Sequence, residues 1–144
     1  IRMLKDTEDA ADATQAVFVK AFEKLDQFNP RYKFFSWIYR MAVNECLNFI
    51  KKASRSQPLD ATIDISGPET EKAVDQAELS SHIDHALMQL TPEHRAVVVL
   101  KHFHGFSYRD ISYMVEIPEK TVKSRLYDAR QRMKTVLLKG GYSI

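Results

Sequence analysis

Apolar residues recur three or four positions apart along almost the whole chain, and this spacing restricts the folds that the sequence can adopt. Such spacing places apolar side chains on one face of an α-helix, whereas a half-buried β-strand requires strict alternation of apolar and polar residues. No convincing alternating run is found. The sequence therefore predicts an all-α fold.

Residues typical of helix ends divide this pattern into separate helices. Thr91 is suited to cap a helix that begins at Pro92, where the missing N–H costs nothing, and Gly105 can end that helix in the left-handed conformation. Ser107 can cap the next helix, with Asp110 following in a capping-box arrangement. With Thr7 as the first N-cap, the predicted helices cover about 7–28, 34–52, 71–90, 92–104, 108–116 and 119–138.

Segment 54–70 is the best candidate for a linker, because it is rich in Ser, Pro, Gly and Asp and has little helical pattern. The sequence thus predicts two small helical domains, residues 1–53 and 71–144, joined by a flexible linker. Residues 54–90 carry two basic and seven acidic side chains, whereas residues 91–144 carry ten and five. A basic C-terminal third is compatible with a polyphosphate partner, because clustered Lys and Arg release counterions when they bind it. Judged from charge alone, however, an ordinary solvated surface is the slightly better interpretation.

Composition excludes several classes of protein. Cys46 is the single cysteine, so an intramolecular disulfide framework is impossible, and no stretch has the roughly twenty apolar residues of a membrane span. We therefore expect a soluble, cytoplasmic protein. The sequence begins at Ile1 inside a helical pattern and without a secretory signal, so we expect further sequence before it.

The last helix and the short helix before it form a candidate helix-turn-helix. In this motif the N-terminal turns of the second helix enter the major groove, which would place Lys123, Ser124 and Tyr127 at base edges and Arg125 and Arg130 near phosphates. Any surface helix points Lys and Gln outward, so it is the combination of cap, short helix, tight turn and basic charge that favours DNA. The residues opposite the apolar stripe are Lys120, Lys123, Ser124, Tyr127, Gln131 and Lys134.

The helix over 34–52 has a second polar stripe, formed by cations, an indole and two amides on one side. This combination is used to bind single-stranded nucleic acid, because rings stack on bases and cations follow the backbone. For Trp37 alone, a core position is the better interpretation, since Trp is mostly buried. The stripe comprises Lys33, Trp37, Arg40, Asn44, Asn48 and Lys51.

The first helix is apolar most of the way round. Ala16, Val19 and Phe22 lie away from its main apolar stripe, beside Asp12 and Gln15. Such a helix is either enclosed in the core or docks on another protein, and the pattern favours neither interpretation.

Residues suited to catalysis or metal binding form no recognisable set. The five histidines lack a Cys or carboxylate that would complete a zinc site, and neither a Gly-rich phosphate loop nor a nucleophile elbow is present. The sequence therefore predicts no cofactor, no metal and no enzymatic activity. A metal-dependent nuclease that uses the His and acidic residues is a distant alternative.

Three segments together resemble the extracytoplasmic-function sigma factors of bacterial RNA polymerase. They are DAADATQAVFVKAFEKLDQF, FFSWIYRMAVNECLNFIKK and LTPEHRAVVVLKHFHGFSYRDISYMVEIPEKTVKSRLYDAR, and they cover nearly the whole chain apart from the linker. The last segment alone would also be consistent with other helix-turn-helix regulators. The combination is specific to the sigma family.

The resemblance implies a role for each surface. The helix with Asp12, Gln15, Phe18, Val19 and Phe22 would dock on the clamp helices of the core polymerase. The loop from Phe28 to Phe34 would capture a base flipped out of the −10 element, and the adjoining helix would open the promoter. The expected −10 contacts are Phe28, Asn29, Arg31, Lys33, Phe34, Trp37, Arg40 and Asn44. The expected −35 contacts are Lys120, Thr121, Lys123, Ser124, Arg125, Tyr127, Asp128 and Gln131.

The chain departs from the family pattern at four positions. Glu119 and Lys120 stand where members usually have a small or apolar residue and then Gly, and Asp128 replaces a common basic residue. An acid at 128 repels phosphate but could accept a hydrogen bond from a cytosine amine. Ala16 replaces a usual acid. The departures at 119–120 and at Asp128 leave the −35 sequence preference open but do not affect the general role that the resemblance implies.

These observations predict a sigma factor that binds core RNA polymerase and promoter DNA, duplex at −35 and melted at −10. Family membership also implies an anti-sigma protein as a partner. The alternative is a helix-turn-helix regulator that binds DNA without polymerase, for which tight sequence-specific binding by the free protein would be diagnostic.

Overall fold

The computed structural model describes residues 2–56 and 76–141. Most of the predicted linker and the first residues of the predicted third helix, 57–75, lie outside the described residues. Within the described residues the fold is all-α, as predicted. The helices are α1 (Thr7–Glu23), α2 (Phe34–Ser56), α3 (Gln76–Met88), α4 (Pro92–Val98), α5 (Tyr108–Val115) and α6 (Glu119–Lys139).

The N-terminal lobe consists of α1 and α2, packed side by side. The N-cap of α1 is Asp6 rather than the predicted Thr7, because the Asp6 carboxylate accepts from the N–H of Glu8 at 2.7 Å. The helix also ends earlier than predicted, at Glu23, and a 3-10 turn over Leu25–Gln27 follows.

The C-terminal lobe consists of α3 to α6, and its helix ends follow the predicted punctuation. Thr91 caps α4 with Pro92 at its first position, and the N–H of Asp110 donates to the hydroxyl of Ser107 at 3.1 Å. A π-helical turn over Val99–Phe103 extends α4. Gly105 follows at φ 70°, the left-handed conformation predicted for it.

The two lobes share one cluster of buried side chains. Met3, Val43 and Cys46 of the N-terminal lobe pack with the core of the C-terminal lobe, and α2 contacts α4 and α5 directly. The largest fully buried side chains of this cluster are Leu87, Ile111, Met114, Leu126, Val97, Val122 and Cys46. The relative positions of α2 and α5 are therefore fixed by apolar packing as well as by polar contacts.

Across residues 2–56 and 76–141, no helix combines the length and the hydropathy needed to cross a bilayer.

Candidate nucleic-acid interface

A tight turn between α5 and α6 builds the helix-turn-helix. Glu116 ends α5 at φ 58°, and the N–H of Ile117 then donates to the carbonyl of Ser112 at 3.2 Å. Pro118 follows as the N-cap of α6, where its missing N–H leaves no donor unpaired. Buried residues of α5 and α6 pack against one another, so this turn fixes which face of α6 points outward.

The outward face of α6 is an open polar surface. Tyr127 is 63% exposed, and its neighbours Lys123 and Ser124 are exposed as well. Thr121 and Arg125 are half-buried at the edges of this face, and the Ser124 hydroxyl donates to the carbonyl of Thr121 at 3.1 Å. The predicted −35 residues that are exposed are Lys120, Lys123, Ser124, Tyr127, Asp128 and Gln131.

Cations surround this face. The ammonium groups of Lys101 and Lys123 lie 4.5 and 5.4 Å from the centre of the Tyr108 ring. Arg130 donates to Nε2 of His102 at 3.1 Å, a geometry that requires this nitrogen to be unprotonated. Burial, then Arg130 and Lys101, lower the pKa of His102 below its usual value. The positive potential here comes from Lys and Arg, which suits contact with phosphates.

The loop from Phe28 to Phe34 is ordered by its own side chains. The Asn29 side-chain oxygen accepts from the N–H of Arg31 at 3.0 Å, which forms a tight turn. The ring centre of Phe28 lies 5.5 Å from that of Phe34 and 5.2 Å from that of Trp37. Trp37 is half-buried against these rings, so it is neither a free stacking surface nor a deep core residue.

The polar stripe on α2, hereafter the α2 stripe, has two different environments. Asn44, Asn48 and Lys51 are exposed. The N-terminal half of the stripe instead faces α5, where Arg40 forms an ion pair with Glu116. The structure thus brings part of the predicted −10 surface against the C-terminal lobe.

The second apolar face of α1 is exposed at Val19 and Phe22, whereas Ala16 is half-buried, and Phe18 of the main apolar stripe is exposed as well. Phe22 is 84% exposed, Phe18 66% and Val19 54%, while Asp12 and Gln15 beside them are also exposed. The opposite face, with Ala13, Val17 and Ala21, is buried against α2. Of the two interpretations of the sequence, this arrangement favours docking on another protein.

An ion pair fixes α1 on α2. Lys20 donates to the carboxylate of Glu45, whose side chain is only 10% exposed. Beside this pair, a groove of about 490 Å³ runs between the two helices and includes Phe18, Phe22 and Phe35.

Sequence reasoning did not identify the residues of α5 that meet the α2 stripe. Asp110, Tyr113 and Glu116 showed no pattern that would connect them with α2. Arg95 was also missed, although a single cation beside the apolar run Ala96–Leu100 was a usable signal of a buried, hydrogen-bonded guanidinium.

In the part of the chain that the structure describes, no group of three His, Cys, Asp or Glu side chains is placed to hold a metal ion. Cys46 is buried among apolar side chains, and burial raises the pKa of its thiol. Such a thiol is poorly suited to nucleophilic chemistry.

Comparison with protein families matches each lobe separately. The model described as Sigma-70 region 2 matches residues 1–56, and the model described as Sigma-70, region 4 matches residues 81–133. The RNA polymerase sigma-H factor of Pseudomonas aeruginosa is 30% identical over 151 residues, which cover 95% of this chain and 77% of that protein. The ECF RNA polymerase sigma factor SigW of Bacillus subtilis is 31% identical over 150 residues, which cover 94% and 79%.

Two solved structures have the same fold. The sigma factor RpoE from Bartonella quintana, in complex with the anti-sigma factor NepR, superposes with a TM-score of 0.73 at 24% identity and covers 95% of this chain and 86% of that one. CnrH, in complex with the cytosolic domain of CnrY, superposes with a TM-score of 0.69 at 23% identity and covers 94% and 75%.

Proposed function

Because this chain belongs to the extracytoplasmic-function sigma factors of RNA polymerase, we propose that its two lobes divide promoter recognition between them. The lobe over residues 1–53 binds core polymerase and the melted −10 element. The lobe over residues 71–144 binds the duplex −35 element, and residues 54–70 connect the two.

The exposed polar face of α6 is the observation that carries this division. Lys123, Ser124 and Tyr127 lie on the first turns of a helix that the tight turn at Glu116 holds outward. Insertion of these turns into the major groove brings a cation, a hydroxyl and a phenol to the base edges. Arg125 and Arg130 flank them and contact phosphates.

The −10 contact uses the 28–34 loop and the α2 stripe. The rings of Phe28, Phe34 and Trp37 form a small aromatic cluster beside the cations of the stripe. Extruding a base from a duplex costs a few kcal/mol, and stacking on side chains offsets part of that cost. Asn29, Arg31, Lys33, Arg40 and Asn44 supply hydrogen bonds and charge around this cluster.

Core polymerase binds the exposed apolar face of α1. Phe18, Val19 and Phe22 provide apolar area, and Asp12 and Gln15 beside them provide polar contacts at its edge. Aromatic anchors surrounded by polar groups are typical of energetically important interface centres.

The protein acts in the cytoplasm, where RNA polymerase works, and performs no catalysis itself. Its curated relatives are named as RNA polymerase sigma factors. An anti-sigma protein regulates it, as the similar sigma factor RpoE from Bartonella quintana, which was crystallised with the anti-sigma factor NepR, suggests.

Reconstituted transcription tests the proposal. The full chain is added to core RNA polymerase on a library of genomic DNA fragments, and transcript start sites are mapped. Start sites that depend on the chain and share two upstream elements support the assignment. Tight, sequence-specific binding by the free protein, together with no complex with core polymerase, would instead identify a conventional helix-turn-helix regulator.

A further inference from the structure

The N-terminal half of the α2 stripe meets charges of opposite sign on the C-terminal lobe. Arg40 pairs with Glu116, and Lys33 Nζ lies 3.4 Å from the carboxylate of Asp110. Both cations belong to the surface proposed to hold the backbone of the melted −10 strand. Two carboxylates thus pair with cations that the proposed −10 function assigns to the phosphates of that strand.

A ring of α5 stacks on the same surface. The ring centres of Tyr113 and Tyr32 are 4.5 Å apart, and the two ring planes are inclined by 18°. The Arg40 guanidinium lies 4.9 Å from the centre of the Tyr113 ring. A nucleobase bound to this surface would make these two contacts, stacking on an aromatic ring and lying against an arginine. The Tyr113 ring therefore occupies the aromatic and arginine contacts that an unpaired base on this surface would use.

The backbone at Glu116 is an independent observation. Glu116 has φ 58°, and in the described residues it is the one residue other than Gly with a positive φ. Gly adopts this conformation without a Cβ penalty, so a Glu here is strained. This conformation is the left-handed C-cap that ends α5, and it places the Glu116 carboxylate against Arg40.

From these contacts we propose that α5 is a built-in competitor of the melted promoter strand: Asp110, Tyr113 and Glu116 occupy the α2 stripe until DNA displaces them. This inference rests on the proposed −10 function of the stripe. It adds a closed state, in which α5 covers the stripe, to the open state that binds DNA. In the closed state the outward face of α6 stays exposed, so duplex DNA has access to the −35 surface before the −10 surface is free.

The two ion pairs are suited to exchange with phosphates because both are partly exposed, whereas the apolar packing of α2 on α4 and α5 has to open before α5 leaves the stripe. The Arg40 and Glu116 side chains are 35% and 53% exposed, and in the other pair Lys33 is 76% exposed whereas Asp110 is 19% exposed. Exposed pairs of this kind contribute little to stability and are screened by salt. A phosphate backbone that presents several charges at once can therefore replace them.

Glu116→Gly is a well-matched variant for the test. It removes the carboxylate while Gly accepts the positive φ, so the turn and the fold are preserved. Binding of a fluorescein-labelled single strand of mixed sequence, about twelve nucleotides long, is measured by anisotropy with the full chain. We expect the affinity to rise about two- to fivefold, the range expected from an exposed ion pair. Adding Asp110→Asn and Tyr113→Leu should raise it about tenfold or more.

Glu119→Gln is the matched control. It removes the same charge three positions away, on an exposed residue, without touching the contact with Arg40. If Glu119→Gln raises the affinity as much as Glu116→Gly does, the effect is general electrostatics and the proposal is wrong.

The buried thiol of Cys46 gives a second readout of opening. Cys46 is 2% exposed and lines a small cavity between the lobes, together with Val43, Leu100 and His104. Because it is the only cysteine, alkylation by iodoacetamide, followed by mass spectrometry, reports this site alone. We expect faster alkylation of Glu116→Gly than of the unaltered chain, and equal rates would contradict opening.

Arg40→Ala separates failure of this inference from failure of the proposed function. If Arg40→Ala weakens single-strand binding but Glu116→Gly leaves it unchanged, the stripe binds DNA without competition from α5. In that case the competition is wrong and the proposed −10 surface is supported. If the strand does not bind either the unaltered chain or the Glu116→Gly variant, both the competition and the proposed −10 surface are wrong.

Discussion

The guanidinium of Arg95 donates to the backbone carbonyl of Met3 at 2.6 Å, across 92 positions of the chain. The same side chain donates to the carbonyls of Leu87, Met88 and Leu90 at 3.0, 3.3 and 3.1 Å. These three carbonyls lie at the C-terminal end of α3 and just beyond it, where helix carbonyls lack intrahelical partners. One buried cation thus supplies hydrogen-bond donors to the carbonyls at the end of α3 and links the segment before α1 to the C-terminal lobe.

We therefore expect Arg95→Met to destabilise the fold strongly. The substitution keeps much of the apolar stem but removes the guanidinium donor from four carbonyls, of which the Leu87 carbonyl still accepts from the N–H of Leu90 at 3.1 Å. Each buried polar group left unpaired costs about 1–3 kcal/mol. Relaxation and entry of water will recover part of this, so a loss of about 3 kcal/mol in the free energy of unfolding is expected. Arg95→Lys should lie in between, because an ammonium lacks the planar fork that reaches several acceptors.

Urea denaturation followed by circular dichroism measures these losses. Arg109→Met is the control, since Arg109 is exposed on α5 and its substitution should change stability by less than about 0.5 kcal/mol. If Arg95→Met were no more destabilising than Arg109→Met, the hydrogen bonds of Arg95 would have no structural importance.

Replacing Lys123 and Tyr127 by Ala should weaken transcription from the cognate promoter without weakening binding to core polymerase. Both side chains are exposed on α6, so the fold does not depend on them. Loss of base contacts costs about 1–3 kcal/mol each, which predicts a loss of about tenfold or more for the pair. Run-off transcription and a separate core-binding assay measure the two effects.

Lys134→Ala is the control for this pair. Lys134 is exposed on the same helix but lies more than two turns beyond Lys123, away from the turns that enter the groove. Its replacement should reduce the affinity for promoter DNA by no more than the loss of one phosphate contact would. Equal loss of core binding and transcription in the Lys123 and Tyr127 variant would contradict a −35 role for α6.

Local features of this fold could be predicted because their chemistry acts within a few residues. Thr91 before Pro92, Gly105 and Ser107 were each placed correctly from the sequence, since caps and left-handed glycines are local signals. The start of α1 was wrong by one residue because Asp6 and Thr7 are both good N-caps. The outward face of α6 was also predictable, since the helical period fixes which side is polar.

The contacts between the lobes could not be predicted in this way. Arg40 and Glu116 are 76 positions apart, and a helical period states which face is polar but not which element that face meets. The left-handed conformation of Glu116 carries no sequence signal, because Glu is not a residue that favours it. The α2 stripe was visible in the sequence, but the side chains of α5 that occupy it were not.

Phe22→Ala should weaken binding to core polymerase while leaving the stability of the free chain almost unchanged. Phe22 is 84% exposed, so its removal leaves no cavity in the fold. If it anchors the interface, truncation costs about 2 kcal/mol of binding free energy, or a roughly thirtyfold loss of affinity.

Leu138→Ala is the matched control for Phe22→Ala. It also truncates an exposed apolar side chain, 48% exposed, but at the far end of α6. Fluorescence titration of labelled core polymerase compares the two variants. Similar affinities for both would exclude α1 as the docking surface.

Acidification should destabilise the fold through His94, His102 and His104. Burial is the main cause that lowers the pKa of each below its usual 6.5, and Arg132 and Arg130 add to this at His94 and His102 respectively. The unfolded chain therefore takes up protons at a higher pH than the folded chain, so stability is complete above about pH 6.5 and falls as the pH drops further. Differential scanning fluorimetry between about pH 7.5 and pH 5.5 should show a falling Tm.

His104→Gln tests one of these histidines. The Tyr39 hydroxyl lies 3.4 Å from Nδ1 of His104, and Gln keeps a polar partner for it, so this variant should lose less Tm on acidification. A Tm that stays constant or rises on acidification would show that these imidazoles are not held neutral by the fold.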